Sequence, residues 1–352
     1  MKPEIDFDLD YSLPEHLIAD KPPQKRGTSR LMSIDRKTQS ISHCVFTDLP
    51  RFFTKGEAVI FNNTRVLNAR LLCKTPSGRE SEILLVEKID DYRWKAMVKF
   101  SRKFKNGSTV NLGEYNVRIL ERIDEDMRIV EFDKPIGFED INRIGVTPIP
   151  PYIVKRRIDQ NNPAYLKEDS EWYQPVFAKH YGSVASPTAS LHFTDEIINS
   201  LKRSGVNTGY VTLHIGPGTF KPIDRPLNKF KIHSEWIEVP PETVDLIKQT
   251  KSEGKKITAV GTTVIRAVES LTALKPSFEE ITPFSGTTSL FIKPGHKFKI
   301  IDRIITNFHL PNSTLLLLVY AFAGQDLIKT AYIEAIEKNY RFYSYGDAMI
   351  ID

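Results

Sequence analysis

Hydrophobic residues fall into two textures along the chain. From Val66 to Phe132, short runs mix apolar and polar residues in the β manner: "VLNARLLCK", "SEILLVEKI", "RWKAMVKF", "STVNL", "YNVRILERI" and "RIVEF". Turn signals such as "PSG", "KNG" and "LGE" lie between them. Short strands at this spacing, with little helical periodicity, predict a small antiparallel barrel. The proline-rich "GVTPIPPYI", residues 145–153, is incompatible with a helix or a central strand, so it predicts the exit from that unit. Beyond it the pattern alternates. "GYVTLHIG" and "KKITAVG" read as buried strands, and "TDEIINSLKRSG" and "PETVDLIKQTKSEG" as helices ending at Gly205 and Gly254, which suit C-terminal caps. Alternating β and α segments predict a mostly parallel sheet with flanking helices. "EAVIFNNTR", residues 57–65, reads as a strand of the same sheet placed before the barrel. The expected organisation is an α/β domain of residues 1–65 and 153–352 carrying an inserted small antiparallel β-barrel domain, residues 66–152.

One segment, "ITNFHLPNSTLLLLVYAFAG" (residues 305–324), combines a polar start around His309 with a strongly apolar end. As a helix, Leu315 to Ala323 rises about 14 Å at ~1.5 Å per residue. A membrane span needs roughly 20 apolar residues. The segment therefore predicts a buried helix, capped at Asn312 or Ser313, and no membrane association.

Composition supports a globular chain. Of 352 residues, 40% are hydrophobic and 26% charged, a balance that supports a substantial core. Cys44 and Cys73, the only cysteines, form neither a disulfide framework nor a metal site, which predicts a reducing cytoplasm. The acidic start "MKPEIDFDLDYSLPEHLIAD" has no apolar core of the kind a secretory signal carries. A net charge of +5 is only mildly basic, so local clustering says more. "RWKAMVKFSRKFK", residues 93–105, holds Arg93, Lys95, Lys99, Arg102, Lys103 and Lys105 without an acid, interleaved with Trp94, Phe100 and Phe104. Cations beside aromatics suit RNA phosphates and bases. A strand with one solvated face and its aromatics in the core gives the same pattern.

Four loops are rich in small and polar residues. They are "FNNTRV" (Asn62, Asn63, Thr64, Arg65), "LHIGPGTF" (His214, Gly216, Gly218, Thr219, Phe220), "VGTTVIR" (Gly261, Thr262, Thr263, Arg266) and "TNFH" (Asn307, His309). In the third, Thr262 or Thr263 is expected to cap a helix. Ligands of α/β sheets gather at the carboxyl ends of strands, where helix N-termini favour anions. None of these loops carries a dinucleotide or P-loop fingerprint. His192, His214, His233 and His309 lie in these or similar segments, without the spacing of a zinc site. Glu235 follows His233 by two, so in an extended segment both side chains share a face and the carboxylate can tune the imidazole. A histidine satisfied within the core is the alternative for each. The absence of a G-x-S-x-G elbow around Ser186 and Ser190 excludes the usual serine-hydrolase arrangement.

Taken together, "FNNTRV", "PPYI", "YGSVASPTASLHF", "YVTLHIGPGTFKPI", "HSEW", "AVGTTVIRAVES", "FIKPG", "TNFHLPNSTLLLLVYAFAG" and "YRFYSYGDAMII" resemble the S-adenosylmethionine:tRNA ribosyltransferase-isomerases of queuosine biosynthesis. The resemblance covers nearly the whole chain. It implies an α/β domain with an inserted β-barrel, and an enzyme that transfers the ribosyl group of S-adenosylmethionine to 7-aminomethyl-7-deazaguanine at the wobble position of tRNAs with GUN anticodons. The ribose is isomerised to an epoxycyclopentane, giving epoxyqueuosine, with adenine and methionine released. No metal and no cofactor beyond S-adenosylmethionine, itself a substrate, are implied; a monomer is expected.

Under that reading the chemistry needs a base, an acid and groups that hold substrate. His192, His214, His233, Glu235, His309 and Asp347 are the proton-transfer candidates. Asn62, Asn63, Thr64 and Arg65 suit base or ribose recognition, and Gly261, Thr262, Thr263 and Arg266 suit the methionine carboxylate or a tRNA phosphate. Gly216, Gly218, Thr219, Phe220, Asn307, Tyr345 and Gly346 complete the substrate-binding set, with Asp347 also placed to meet the deazaguanine. Lys99, Arg102, Lys103 and Lys105 are expected to bind tRNA. Asn68, Val146, Ser190 and Val264 depart from the family pattern of Pro, His, Gly and Ser, which leaves room for a paralogue with an altered substrate. A non-catalytic RNA-binding protein is the alternative of a different class.

Overall fold

The computed structural model describes residues 7–124, 127–220, 223, 226–227, 229–230, 232–275 and 277–352, with the side chain of Phe220 outside that description. The strands begin with β1 (Arg30–Asp35), β2 (Ser40–Val45), β3 (Ala58–Asn62) and the short β4 (Thr64–Val66). The strands β5 (Arg70–Lys74), β6 (Glu80–Lys88), β7 (Arg93–Val98), β8 (Ser108–Leu112), β9 (Tyr115–Arg122) and β10 (Met127–Phe132) follow. Next come α1 (Phe138–Ile144), α2 (Pro151–Asp159), α3 (Asp169–Trp172), β11 (His180–Ser183), α4 (Asp195–Arg203) and β12 (Asn207–Leu213). After them lie β13 (Glu235–Val239), α5 (Pro241–Ser252), β14 (Ile257–Val260), α6 (Thr262–Ala273) and β15 (Phe284–Thr288). The chain closes with β16 (Arg303–Asn307), α7 (Thr314–Ala323), α8 (Gln325–Glu337) and β17 (Ala348–Ile351).

Two compact units form: residues 1–64, 175–178 and 187–352 in one, residues 65–174 and 179–186 in the other. The second is longer than the 66–152 stretch expected for it. Arg70 of β5 bonds Ile149 O and the Tyr165 hydroxyl, which ties residues after the proline run into this unit. The run itself is only partly irregular. Pro151 sits at the first position of α2, where a proline costs no hydrogen bond, so residues 151–153 are helical where a break was expected.

The first unit holds a nine-stranded sheet in the order β15-β13-β12-β3-β14-β16-β17-β1-β2. Its centre is parallel, through the β12–β3, β3–β14 and β14–β16 pairings. β3, β14 and β16 are buried at every residue, as strands covered on both faces must be. The sheet as a whole is mixed and not mostly parallel. β17 pairs parallel with β1 but antiparallel with β16, and β1–β2, β12–β13 and β13–β15 are antiparallel. Alternating β and α segments reveal only strands joined by helices; the outer strands arrive by hairpins and by the return of the C-terminus.

Several helix ends follow local chemistry. Gly205 (φ 77°) and Gly254 (φ 65°) follow α4 and α5 in the left-handed conformation glycine tolerates. Ser313 caps α7, its hydroxyl accepting from Leu316 N at 3.2 Å. The N-cap of α6, however, is Gly261 at φ 89°, and neither Thr262 nor Thr263 caps it. The Thr263 hydroxyl accepts a hydrogen bond from Asn62 instead. α7 is a buried ten-residue helix that turns by 116° into α8. Among the described residues no single helix is long and apolar enough to cross a membrane.

The second unit is a six-stranded antiparallel sheet, β5-β6-β7-β10-β9-β8, curled until β8 approaches β5. Trp94, Ala96 and Val98 alternate inward on β7 to meet Leu71, Ile83, Val117, Ile119 and Val130 in one core. Phe104 belongs to that core too. Trp94 and Phe104 are therefore core residues, which decides their part of the basic run in favour of the plain packing reading. Arg93 and Lys95 pair with Asp90 and Glu87. Lys99, Arg102, Lys103 and Lys105 are exposed and form no ion pair among the described residues.

Candidate functional site

Parallel pairing brings the carboxyl ends of β12, β3, β14 and β16 to one edge of the first unit's sheet. The four polar loops follow these four adjacent strands, across three spacings of ~4.8 Å, or about 14 Å. That convergence is the feature that selects the site, because open sheets bind ligands at this edge. The opposite edge carries structural charge: Arg303 bonds Glu57 and Asp352, each at 2.8 Å.

At β3 the side chain of Asn62 acts as a clamp. Its oxygen accepts from Thr64 N and Leu213 N, both at 3.1 Å, and its nitrogen donates to Leu213 O and Thr263 Oγ1. All its capacity is used within the protein, so it fixes the loops of β3, β12 and α6 relative to one another. Asn63 accepts from the Thr212 hydroxyl at 2.7 Å. Thr64 Oγ1 lies 2.8 Å from His214 Nδ1, and the His214 ring stacks on Trp236 at 5.0 Å. Arg65 belongs to the second unit, where its guanidinium lies 4.7 Å from the centre of the Tyr181 ring.

Around β16 lies a second polar group. Asn307 accepts from Thr188 Oγ1 at 3.1 Å, which orients its amide so that Nδ2 donates to His192 Nε2 and Tyr343 O, each at 3.1 Å. His192 then carries its proton on Nδ1, facing Ser29 Oγ at 2.9 Å. Phe46 stacks on the ring at 5.0 Å. Burial, helped by the charges of Arg26 and Arg341, depresses the His192 pKa to about 3. His309 is pushed down to about 3 by burial alone. Its Nε2 meets Thr306 Oγ1 at 2.8 Å, and its backbone N–H donates to the Tyr332 hydroxyl, also at 2.8 Å. The Tyr11 hydroxyl donates to His309 O.

One expected arrangement is corrected by the geometry. Glu235 does not hold His233. Its carboxylate pairs with Arg266 and accepts from Gly216 N at 3.1 Å and Thr219 Oγ1 at 3.4 Å, while His233 is exposed with its ring against Gly218. A buried guanidinium outcompetes an exposed imidazole for the carboxylate because the buried charge needs it more. Asp347 stands at the start of β17, beside the Asn307–Ala348 pair, with its carboxylate engaged by the backbone. Its two oxygens accept from Arg30 N and Arg341 N, both at 2.8 Å, so it pins β1 to the chain that enters β17. Before it, Gly346 leaves no room for a side chain: a Cβ there would lie 2.5 Å from Arg341 O. Tyr345 is buried in the same loop.

Several partners in the polar group carry no local pattern that marks them individually. Ser29, Thr188 and Tyr343 come from distant segments, and Tyr343 is a non-glycine residue at φ 72° whose carbonyl meets Asn307. Thr306 alone was within reach of a sequence argument, three residues before His309. Among the described residues, no group of three or more His, Cys, Asp and Glu side chains is gathered for a metal ion.

A family described as "Queuosine biosynthesis protein" matches residues 7–351. The chain belongs to this family. Its similarity to individual queuosine-biosynthesis proteins extends end to end. The S-adenosylmethionine:tRNA ribosyltransferase-isomerase of Aquifex aeolicus (strain VF5) is 44% identical over 346 residues, covering 98% of each chain. That of Clostridioides difficile (strain 630) is 41% identical over 349 residues, again 98% of each. A crystal structure of S-adenosylmethionine tRNA ribosyltransferase from Thermotoga maritima superposes with a TM-score of 0.56 at 34% identity, covering 98% of this chain and all of that one. The departures from the family pattern have plain surroundings. Asn68 and Asn142 bond each other, Val146 pairs with Arg70 through the backbone, Val264 is buried in α6, and the buried Ser190 hydroxyl has no partner among the described residues.

Proposed function

We propose that the chain is an S-adenosylmethionine:tRNA ribosyltransferase-isomerase, transferring and isomerising the ribosyl group of S-adenosylmethionine onto 7-aminomethyl-7-deazaguanine at the wobble position of tRNAs with GUN anticodons. The products are epoxyqueuosine in tRNA, adenine and methionine. The observation that carries this reading is end-to-end similarity, above 40% identity, to proteins of that name, in a chain whose polar loops meet at one sheet edge. The active unit is a monomer in the cytoplasm, and S-adenosylmethionine is its only small-molecule requirement. The first unit is the catalytic domain and the barrel is the tRNA-facing domain.

The four histidines differ in setting, which supports different roles. A ring with a pKa of about 3 is neutral near pH 7 and a weak base there, so His192 and His309 serve as fixed, uncharged hydrogen-bonding groups. His214 and His233 are left as the proton-transfer candidates. With Asn62, Asn63 and Thr64 ordering the loop beside it, His214 is poised at the end of β12. Alanine at His214 or His233 lowers the single-turnover rate by about 10²-fold or more. A variant that keeps the wild-type rate removes that residue from the chemical step.

One assay tests the reaction itself. Labelled S-adenosylmethionine and tRNA carrying the aminomethyl base yield free adenine, methionine and ribosylated tRNA. S-adenosylhomocysteine as product would mark a methyltransferase instead, and tRNA binding without turnover a non-catalytic binder or a paralogue with another substrate.

For tRNA, the exposed cations of the barrel are the proposed contacts. Buried Arg128 holds their loop by donating to Ser101 O, Phe104 O and Leu120 O. Lys99, Arg102, Lys103 and Lys105 are thus displayed on an ordered turn beside Phe100. Neutralising Lys99, Arg102 and Lys103 together lowers tRNA affinity and reduces the slope of log K against log salt by about 2–3, at ~0.7–0.9 for each phosphate that is no longer neutralised. Equal slopes in wild type and variant would remove the barrel loop as the contact surface.

A further inference from the structure

Arg266 is buried, yet its guanidinium is only partly satisfied. Nη1 pairs with Glu235, Nε donates to Leu290 O at 3.1 Å, and Nη2 is buried with no hydrogen-bond partner among the described residues. A buried N–H left unmet is costly and uncommon in a finished interior. The residue lies one turn into α6, a twelve-residue helix whose N-cap is a glycine that supplies no side-chain cap. Helical side chains lean back toward the N-terminus, so Arg266 shares a face with Thr262 and Thr263, on the side of the uncapped turn. The helix therefore offers its free N–H groups and positive end beside a guanidinium with one edge unspent.

On the other side of the same guanidinium, Glu235 orders the glycine turn that follows His214. It accepts from Gly216 N and Thr219 Oγ1 while it holds Nη1. One carboxylate thereby couples the β12 loop to the α6 cation. With Nη1 and Nε both committed, Nη2 is fixed in direction, and planar guanidinium geometry favours a carboxylate oxygen as its next partner.

We infer that Arg266 Nη2 and the first turn of α6 bind the α-carboxylate of the methionyl moiety of S-adenosylmethionine, and that Glu235 is a positioning residue for this contact and not a proton carrier. The inference rests on the ribosyltransferase reading and commits the α6 turn to the small-molecule substrate, leaving the tRNA phosphates to other cations. It adds a determinant of substrate choice: the site selects sulfonium substrates that carry a carboxylate.

The test compares two dead-end ligands, S-adenosylhomocysteine and its decarboxylated analogue, by calorimetric titration of the tRNA-saturated protein. The wild type binds the carboxylate-bearing ligand about tenfold or more tightly, the scale of one charge-assisted contact. Arg266→Gln alone strands Glu235, so the key variant is Arg266→Gln with Glu235→Gln, which leaves no unpaired charge. It binds the two ligands within about threefold of each other. Arg266→Lys, keeping the charge without the fork, gives an intermediate ratio. A wild-type ratio in the double variant overturns the carboxylate contact. Adenine release by the wild type, measured alongside, separates the two readings: no release overturns the reaction and this proposal with it, whereas release with an unchanged ratio overturns the proposal alone.

Discussion

Lowering the pH from 7 to 5 destabilises this protein by about 2 kcal/mol for each of His192 and His309, roughly 4 kcal/mol together. Both rings have pKa values near 3 in the fold, against ~6.5 for a free histidine. The sign follows from which state binds protons. Between these two values the unfolded chain takes up a proton on each ring and the folded chain does not. Stability from these groups is therefore complete above about pH 6.5, and is lost as pH falls, at ~1.4 kcal/mol per unit for each ring. Urea unfolding at pH 7 and pH 5 measures the loss. His309→Gln, able to keep a bond to Thr306, removes one titrating group and cuts the loss by about half. An identical loss in wild type and variant would show that His309 is not held neutral in the fold.

The second large effect concerns Asp347. Its carboxylate meets two backbone N–H groups and lies 3.4 Å from Arg30 Nε, all at a buried position. Asp347→Ala strands both N–H groups, at ~1–3 kcal/mol each, for a total of about 2–6 kcal/mol. Asp347→Asn fares little better, since one end of the amide is a donor facing a donor. The expected outcome is a lowered urea midpoint for both variants. A fall in turnover accompanies it only as far as unfolding explains. Unchanged midpoints with turnover abolished would instead place Asp347 in the chemistry.

Asn62, Thr64, His214, Gly261, Asn307 and His309 were expected in polar loops before any fold was known, and the sheet brings those loops to one edge. They lie in local patterns of a strand running into a small polar turn, and parallel pairing at one edge was enough to predict that such turns meet. Glu235 was paired with His233, and Asp347 with the substrate, because a carboxylate near a histidine or at a polar loop looks the same in one dimension whatever it bonds. Their partners, Arg266 in α6 and the backbone of Arg30 and Arg341, come from elsewhere in the chain. The basic run shows the limit on a smaller scale. Its alternation placed Trp94 inward on β7, but only the curled sheet turns Phe104 into the core and leaves Lys99, Arg102, Lys103 and Lys105 outside.

Period-two alternation, helix caps and the too-short apolar run after His309 are local quantities. They suffice for the six-stranded antiparallel unit, the buried central strands, the end of α4 at Gly205 and the capped, buried α7. The long run of matching segments suffices for the family. The mixed character of the large sheet is different, because it arises where β17 returns to pair with both β16 and β1. Packing also settles which polar side chains are spent on holding loops and which are left for a ligand. Hydrogen bonds and ion pairs saturate: an oxygen given to one partner is withdrawn from another, and that allocation exists only once distant segments have been brought together.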